Sequence, residues 1–543
     1  MNQIPVADLS AVNEVSREEL ANLVNREEHE FADMQQRHFK ARAKMSLENE
    51  ALRASFLGAS NFLVGKRKAM FPDAAELEAL RDRGEAVRQN TLNNLPDLLE
   101  TLEKNLTANG IQVHWAEDAD EACSMIYQIL ADNNAKTVVK GKSMVTEEIE
   151  LNHFLEDKGI ECLESDMGEY LVQLAKETPS HIIMPAIHKN KQQIARLMHA
   201  RAETSDGSDV PYTEDVDELI GNARAILRDK FMTADAGISG VNMAVANSGT
   251  LCLVENEGNG RMTTTAPKLH IAVTGIEKVV EDFSQVPDVA KLLTRSATGQ
   301  KITTYFNMIS GPKKPEEKDG PEQVHLVLVD NGRSRIFNHE TLKPTLQCIR
   351  CGACMNHCPV YARIGGHAYG STYPGPIGQV VTPQIGGIEK HGDMLSACSL
   401  NGACGEACPV RIPLPKLIRE LRSEAVNTDV NHVTAESIRT VFNAVKGRGS
   451  KRTLGESLIW QGWSLAHKVP FLYRMMTTVI TRGRKLMPNK LGPWTDSRSM
   501  PQAAAKSLHE MAKQRGLADR LPPQTTVDSS SDDSPRDTQE HKS

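Results

Sequence analysis

Several features that would assign the chain to other protein classes are missing from its sequence. No apolar run approaches the ~20 residues that a membrane-spanning helix needs, so no such helix is expected. The N-terminal segment MNQIPVADLS has neither a positively charged region nor an apolar core, and it therefore does not predict a signal peptide. The formal net charge of −7 gives no overall reason to expect a nucleic-acid partner.

Nucleotide-binding motifs are also missing. No G-x-G-x-x-G occurs, so neither FAD nor NAD is expected in a Rossmann site. Residues 140–143 have the sequence Lys-Gly-Lys-Ser, but Lys136 stands where a Walker A loop needs its first glycine. A strand-to-helix turn whose amides can hold some anion is the preferred interpretation. Aromatic residues make up only 4% of the chain, yet a hydrophobic share of 40% over 543 residues suffices for two or three ordinary domains.

The cysteines, in contrast, are plentiful and unevenly distributed. Seven of the ten lie between Gln347 and Pro413, in two copies of one motif. The first copy has the pattern C-x-x-C-x-x-C-x-x-x-C-P, which is typical of iron–sulfur clusters, because short gaps direct successive thiolates at different irons of one cubane. The longer last gap directs the fourth thiolate towards a neighbouring cluster. A zinc site is the alternative, but zinc needs no third cysteine so close to a C-x-x-C pair.

The repeat predicts two iron–sulfur clusters whose ligands cross between the motifs. The first, a 4Fe-4S cluster, is expected on four cysteines: Cys348, Cys351, Cys354 and Cys408. The second is expected on three: Cys358, Cys398 and Cys404. Asn401 stands where the template has another cysteine, and an amide is a poor iron ligand beside soft thiolates. The second site is therefore expected to hold a 3Fe-4S cluster, a 4Fe-4S cluster with one open iron, or a cluster with a ligand from elsewhere.

The remaining cysteines, Cys123, Cys162 and Cys252, are scattered among apolar neighbours. They are expected to be buried small hydrophobic residues. Clustered cysteines of the ligand type, without an export signal, indicate a reducing cytoplasm rather than a disulfide-linked scaffold.

The order of the predicted elements indicates an α/β protein with helical flanks. One long helix is expected over residues 16–57, with a capping box that begins at Ser16, and two more helices follow before residue 109. From about residue 110 short strands alternate with helices, which favours a mainly parallel, helix-covered sheet. A helix is expected over 146–158, and a strand over 181–184.

These patterns divide the chain into five segments. They are a helical N-terminal region over 1–109, an α/β domain over 110–335, a ferredoxin-like iron–sulfur domain over 340–430, a helical extension over 431–523 and a disordered tail over 524–543. Residues 445–490 are strongly basic, with Glu456 as the only acid, and carry many apolar side chains. They are expected either to lie on a membrane surface or to dock onto the chain's own domains or a partner, and the break at Pro470 favours docking.

The best candidate for a pocket in the α/β half is the glycine-rich segment over residues 237–261. Two apolar strands flank Ser248 and Gly249, and glycines allow a ligand to approach the backbone closely. Arg261 offers a fork for a carboxylate or a phosphate, which makes it a candidate anion or substrate ligand. An ordinary hairpin with a surface arginine explains the same pattern and is the favoured interpretation.

The sequence resembles the lactate-utilisation protein B family, the LldF/YkgF type of iron–sulfur electron-transfer subunit, over nearly its whole length. Residues 140–144, 147–148, 179–188 and 248–250 resemble the LUD domain of that family, and both cysteine motifs match its ferredoxin-like part. The resemblance implies a NagB/RpiA/CoA-transferase-like α/β domain, then an α-helical ferredoxin-like two-cluster domain and a basic helical extension. The family usually has a cysteine where Asn401 stands.

The resemblance further implies a function in electron transfer. In this family the protein works with a cysteine-rich CCG-domain subunit and a second LUD-domain subunit to oxidise L-lactate to pyruvate. Two clusters suit such a relay, because the oxidation releases two electrons and each cubane ordinarily accepts them singly. Two other functions stay open: a self-contained iron–sulfur enzyme that acts on a small organic acid at the LUD domain, and a non-catalytic scaffold that the clusters stabilise.

Overall fold

The computed structural model describes residues 16–204, 206–426 and 454–517, except 487, 489, 491–494, 496–499 and 501. The described residues belong to two units, 16–426 and 454–517. The larger unit contains the α/β half, both cysteine motifs and the helices that precede them.

The strands of the larger unit are numbered along the chain. They are β1 Gln112–Ala116, β2 Thr137–Lys140, β3 Glu161–Glu164, β4 Ala236–Gly240, β5 Met243–Val245, β6 Thr250–Glu255, β7 Leu269–Gly275, β8 Val279–Val280, β9 Tyr305–Ile309 and β10 Gln323–Val329.

The helices of this unit are numbered in the same way. They are α1 Arg17–Gln35, α2 Phe39–Glu48, α3 Glu50–Met70, α4 Ala74–Asn93, α5 Leu95–Ala108, α6 Ala119–Asp132, α7 Met144–Glu148, α8 Leu151–Asp157, α9 Met167–Ala175, α10 Lys191–Arg201, α11 Val216–Thr233, α12 Asn259–Thr265, α13 Val286–Ala297, α14 Arg333–Asn338, α15 Ala353–Asn356, α16 Tyr361–Ile364, α17 Gly375–Gly386, α18 Ile388–His391, α19 Ala403–Ala407 and α20 Leu414–Val426. Short 3₁₀ helices connect some of them, at Ile276–Lys278, Phe283–Gln285, Lys343–Gln347, His367–Tyr369 and Gly392–Ala397.

A six-stranded parallel sheet forms the core of the α/β half, with the strand order β1-β10-β7-β4-β2-β3. Along β10, Val327 and Val329 belong to an apolar cluster with α6, whereas Leu326 and Leu328 belong to another cluster with α5. Alternate side chains therefore face helices on opposite faces of the sheet, as parallel sheets require. The predicted parallel, helix-covered sheet is confirmed.

A smaller four-stranded sheet has the order β8-β5-β6-β9. Strands β5 and β6 are antiparallel, and Val245 is paired with Thr250 across the turn at Ser248 and Gly249. The hairpin interpretation of this segment is therefore confirmed. The turn packs on α5, because the amide of Asn109 donates hydrogen bonds to the carbonyls of Ser248 at 2.9 Å and Gly249 at 3.0 Å.

The single helix expected over residues 16–57 is wrong, because the structure has α1, α2 and the first part of α3 there. The predicted capping box at Ser16 is present. A new helix begins at two points within this range. The His38 side chain accepts the N–H of Ala41 at the start of α2, and the Asn49 side chain accepts the N–H of Leu52 at the start of α3. These side-chain caps satisfy N–H groups that a continuous helix would have bonded internally.

The helix expected over 146–158 is also divided, into α7 and α8. Ser143, rather than Thr146, caps α7, and Glu150 adopts the left-handed conformation with φ of 54° between the two helices. A non-glycine residue in this region interrupts the helical hydrogen bonds, so the predicted single helix is wrong.

The strand expected over 181–184 is a turn, and that prediction is wrong as well. The Nδ1 atom of His181 accepts the N–H groups of Ile183 at 2.9 Å and Met184 at 3.2 Å. These backbone donors are thus bonded to a side chain instead of a neighbouring strand.

The N-terminal helices pack on the cysteine-rich segment as well as on the α/β half. Arg42 of α2 is buried and donates to the carbonyls of Ala368 at 2.9 Å and Tyr369 at 3.1 Å. Phe56 of α3 meets Tyr361 edge to face, with ring centroids 5.6 Å apart. These helices therefore help to fix the loops that carry the motif cysteines.

The smaller unit contains three α-helices among its described residues: α21 Leu454–Lys468, α22 Pro470–Arg482 and α23 Leu508–Gln514. Pro470 stands in the first turn of α22, where its missing N–H costs no helical hydrogen bond. The predictions for residues 427–453 and for the tail over 524–543 lie outside the described residues. Within the described part of the chain, no helix is both long enough and apolar enough to cross a membrane.

Candidate functional site

Four motif cysteines surround one small buried cavity. Its lining includes Cys348, Cys351 and Cys354 from the first motif and Cys408 from the second. Cys354 lies on α15, and Cys408 directly follows α19. Ile377 of α17, which lies between the two motifs in the chain, also lines the cavity. Burial, and then the neighbouring Cys408 and Cys348 thiols, raise the pKa of Cys351 to about 12 in the absence of a bound group.

The other three motif cysteines, Cys358, Cys398 and Cys404, form a second group. Burial, followed by the Cys398 and Cys358 thiols, raises the pKa of Cys404 to about 12. The two groups are neighbours, because α15, which carries Cys354, packs on α19, which carries Cys404. Cys358 and Cys408 thus each lie with the cysteines of the other motif.

The two motifs repeat in geometry as well as in sequence. Arg350 has a φ of 59° and Leu400 has a φ of 56°, so both adopt the left-handed conformation. Their N–H groups donate to sulfur in the same manner, Arg350 to Cys348 Sγ at 3.4 Å and Leu400 to Cys398 Sγ at 3.3 Å. The strained loop conformation thereby directs a backbone donor at the first sulfur of each motif.

Asn401 occupies the position in the second motif that Cys351 occupies in the first. Its Oδ1 accepts the N–H of Ala403 at 3.4 Å, and the equivalent N–H of Ala353 is directed at Cys351. The Asn401 side chain is exposed, whereas Cys351 is 7% exposed. The asparagine therefore replaces the cysteine within an unchanged loop, and it opens that position to solvent.

The donor set fits iron–sulfur cofactors. Soft thiols converge in two adjacent groups, and backbone N–H groups are directed at their sulfur atoms. Cationic side chains contact the backbone of the first group: Arg81 donates to the Cys408 carbonyl at 3.0 Å and Lys278 to the Cys348 carbonyl at 3.1 Å. Such cations offset the negative charge that ligating thiolates carry.

A cavity of ≈ 400 Å³ lies between the α/β half and the first motif. Residues 141–145 after β2, residues 239–242 from the end of β4 onwards, and the end of β6 contribute to its wall, together with Lys278 and Arg350. Ile182 lines both this cavity and the small cysteine-lined one. The ≈ 400 Å³ cavity therefore adjoins the first cysteine group.

The turn that contains His181 separates the two cavities. His181 Nδ1 accepts two backbone N–H groups, so Nε2 carries the proton and donates to Asn356 Oδ1 at 3.1 Å. Burial, and then the charge of Lys142, lower the pKa of His181 to about 3, so the ring is neutral at pH 7. A Cβ atom at Gly352 would lie 3.1 Å from His181 Cε1, which shows how closely the cysteine loop packs on this turn.

Arg350 belongs to a closed network of five side chains. Its guanidinium lies 4.4 Å from the Tyr373 ring centroid, and the Tyr373 hydroxyl donates to Glu148 at 2.7 Å. Arg333 pairs with Glu148 at 2.8 Å and with Glu277 at 2.7 Å, and Glu277 Oε1 lies 3.7 Å from Arg350 Nη2. Burial opposes the charge of Glu277, but Arg333 and the other nearby cations lower its pKa to about 2.

Arg261 lies away from these groups. It is exposed on α12, with its guanidinium carbon 4.7 Å from the Tyr305 ring centroid, and it is not part of the wall of the large cavity. Other residues of the glycine-rich segment, among them Ser239 and Asn242, do line that cavity. An anion-binding function of Arg261 stays a prediction.

Neither Lys278 and Arg350 nor the network around Arg333 was predicted from the sequence. For Arg350 the sequence did offer a signal, because a charged residue stands between two cysteines of a motif that is expected to be buried. No local pattern pointed to Lys278 or Arg333, because their significance depends on partners distant in the chain.

Three family models match the chain: the LUD domain over residues 99–329, the 4Fe-4S dicluster domain over 344–412 and the C-terminal part of lactate utilisation protein B over 420–517. The chain is 40% identical over 487 residues to lactate utilization protein B of Bacillus velezensis, covering 88% of this chain and 97% of that protein. It is 40% identical over 475 residues to the uncharacterized electron transport protein YkgF of Escherichia coli, covering 88% and 96%. Among solved structures, a DUF162 family protein from Deinococcus radiodurans matches at 15% identity with a TM-score of 0.25, over 43% of this chain and 98% of that one.

Proposed function

The chain belongs to the lactate utilization protein B family, and from this premise we propose that it is the iron–sulfur electron-transfer subunit of a multi-subunit complex that oxidises L-lactate to pyruvate. The chain matches the 4Fe-4S dicluster domain, and this match supports iron–sulfur cofactors. The observation that carries the proposal is the adjacency of the two cysteine groups, since α15, which carries Cys354, packs on α19, which carries Cys404.

We propose two clusters with crossed ligands. The first is a 4Fe-4S cluster on Cys348, Cys351, Cys354 and Cys408. The second is a 3Fe-4S or 4Fe-4S cluster on Cys358, Cys398 and Cys404. When bound, such clusters supply one-electron carrier chemistry. The exposed side chain of Asn401 supports an incomplete thiolate set at the second site.

The chain's own residues perform the supporting chemistry. The N–H groups of Arg350 and Leu400 stabilise negative charge on Cys348 and Cys398. The cations Arg81 and Lys278 contact the backbone carbonyls of Cys408 and Cys348 in the first group. Apolar side chains such as Ile377 exclude water there. The N–H donors and cations would make one-electron reduction of the first centre easier, because they offset the negative charge that reduction adds, whereas the exclusion of water opposes it.

The remaining parts of the proposal concern partners, location and fold. We propose a CCG-domain subunit and a second LUD-domain subunit as partners, as the family resemblance implies. A cytoplasmic location is proposed because clustered thiol ligands need a reducing compartment. A NagB/RpiA/CoA-transferase-like fold for the LUD domain is supported by the six-stranded parallel sheet with helices on both faces. Membrane contact of the basic C-terminal residues stays a prediction.

One observation favours a second candidate function. The ≈ 400 Å³ cavity beside the first cysteine group has the size of a small-molecule site, which suits a self-contained iron–sulfur enzyme acting on a small organic acid. A non-catalytic scaffold lacks a comparable observation in its favour.

Anaerobic EPR of the purified protein, before and after L-lactate is added, tests these functions. A relay shows no lactate-dependent cluster reduction alone but does so once the two partner subunits are present. An enzyme shows reduction and turnover alone. Stable clusters that ignore lactate under both conditions would overturn the proposed function and favour the scaffold.

A further inference from the structure

Arg350 carries buried donors that the described chain does not satisfy. Its Nε and Nη1 have no hydrogen-bond partner, and the third nitrogen, Nη2, lies 3.7 Å from Glu277. The side chain is 12% exposed and lines the ≈ 400 Å³ cavity. Leaving buried donors of a charged group unpaired is costly, which indicates that another molecule completes their hydrogen bonds.

The other charged groups of the cavity wall are engaged within the protein. Lys142 donates to a backbone carbonyl at 2.7 Å, and Lys278 does so at 3.1 Å. Asp166 and Glu255 each accept two backbone N–H groups, and Glu257 Oε2 accepts the N–H of Met167 at 3.4 Å. The unmet hydrogen-bonding capacity is therefore that of a guanidinium, and it calls for an anion.

The guanidinium is held ready for such an anion. Tyr373 lies against its face, with the guanidinium carbon 4.4 Å from the ring centroid, and Glu277 holds Nη2. Nη1 and Nη2 lie on one edge of the planar guanidinium, and such an edge matches the two oxygens of a carboxylate. Lys142 and Lys278 line the same cavity and, with Arg350, offset the negative charge of the three carboxylates on its wall.

We propose that this cavity binds the carboxylate of a small 2-hydroxy or 2-oxo acid through Arg350, next to the first cysteine group. The carboxylate follows from the contacts, whereas the acid class rests on the proposed function. The site would give this subunit its own contact with the substrate or product of lactate oxidation.

Occupancy of the site is coupled to the first cluster through Arg350. The backbone N–H of Arg350 donates to Cys348 Sγ at 3.4 Å, while its side chain lines the cavity. A bound carboxylate neutralises positive charge beside the cluster ligands, and it therefore makes the first cluster harder to reduce. By linkage the acid binds the oxidised protein more tightly, and a tenfold preference corresponds to about 59 mV for a one-electron couple.

Isothermal titration calorimetry on the cluster-loaded protein tests the site with L-lactate, pyruvate and acetate as probes. We expect both three-carbon acids to bind more tightly than acetate, and Arg350→Gln to weaken their binding by about 10- to 100-fold. Arg261→Gln is the matched control, because Arg261 is exposed and outside the cavity, and it should bind as the parent does. No binding of lactate or pyruvate, acetate bound as tightly as either, or an unchanged affinity of Arg350→Gln would each overturn the proposal.

Two further measurements keep the test decisive. Lys142→Gln lies outside the cysteine motifs, so it should retain iron and weaken acid binding by removing positive charge from the cavity, even where Arg350→Gln loses a cluster. In a redox titration, added pyruvate should lower the midpoint potential of the first cluster, and an unchanged potential would overturn the coupling.

Acid binding without lactate-driven reduction in the full complex would reject the proposed function alone. Lactate-driven reduction without acid binding by this subunit would reject only the site.

Discussion

Cys351 and Cys408 line the same small cavity although they come from different cysteine motifs. Cys358 of the first motif lies instead with Cys398 and Cys404 of the second. The motifs therefore exchange their last cysteine, and this exchange joins the two groups into one structural unit.

The exchange predicts which cysteine variants share a defect. Cys351→Ala and Cys408→Ala should lose the same reduced-cluster EPR signal, because both remove a ligand of the first cluster. Cys398→Ala should lose the other signal. Cys351→Ala should also abolish lactate-dependent electron flow in the assembled complex.

Cys123→Ala is the control for these variants, since Cys123 is buried with 2% exposure in an apolar cluster that contains no motif cysteine. It should retain both signals. If Cys408→Ala instead matched Cys398→Ala, the crossed assignment would be wrong.

Asn401→Cys should complete the thiolate set of the second cluster. Of the two cluster types proposed for this site, a 3Fe-4S cluster gives the oxidised parent an S = 1/2 signal, and the variant should then lose that signal and gain about one iron per chain. Iron analysis and EPR of the oxidised proteins measure both effects. Ser399→Cys adds an exposed thiol two positions away and should leave the signal unchanged. Two intact 4Fe-4S centres in the parent would contradict this expectation.

Arg333→Met should destabilise the protein by about 3–5 kcal/mol, because it leaves the buried carboxylates of Glu148 and Glu277 without their main partner. The free energy of unfolding from urea titration followed by circular dichroism measures the loss. Lys268→Met, at a side chain that is 82% exposed and 3.9 Å from Glu322, should cost less than about 1 kcal/mol. Equal losses in the two variants would show that the buried network contributes no more than a surface pair.

His270→Asn should make stability less sensitive to acid. Burial, and then His325, lower the pKa of His270 from the ordinary 6.5 to about 4, and its Nε2 lies 2.8 Å from Ser239 Oγ. Below pH 6.5 His270 binds a proton in the unfolded chain but stays neutral in the folded protein. The free energy of unfolding therefore falls as the pH falls towards 4. The contribution is up to about 1.4 kcal/mol per pH unit.

Urea titrations between about pH 7 and pH 5 should therefore give a shallower pH dependence for His270→Asn than for the parent. His29→Asn changes an exposed histidine and should keep the parental slope. Identical slopes in all three proteins would rule out His270 as a source of acid sensitivity.

Local pattern predicted some elements and misled on others. The cysteine spacing predicted the tight loops, and alternating apolar segments predicted the parallel sheet. The Ile-Ile-Met run after His181 suggested a strand, but the His181 ring takes up the N–H groups that a strand would have shared. The long first helix was wrong because His38 and Asn49 cap new helices within it.

By itself the sequence determined which residues offer thiols and where one thiol is replaced, because cluster-type spacing is a property of a short loop. The tertiary structure alone decided that Arg350 faces the cavity of the α/β half and that Tyr373, Glu148, Arg333 and Glu277 surround it. Buried charges persist only where partners meet them, and these partners come from segments far apart in the chain. Their meeting depends on packing of the whole unit, which no local pattern encodes.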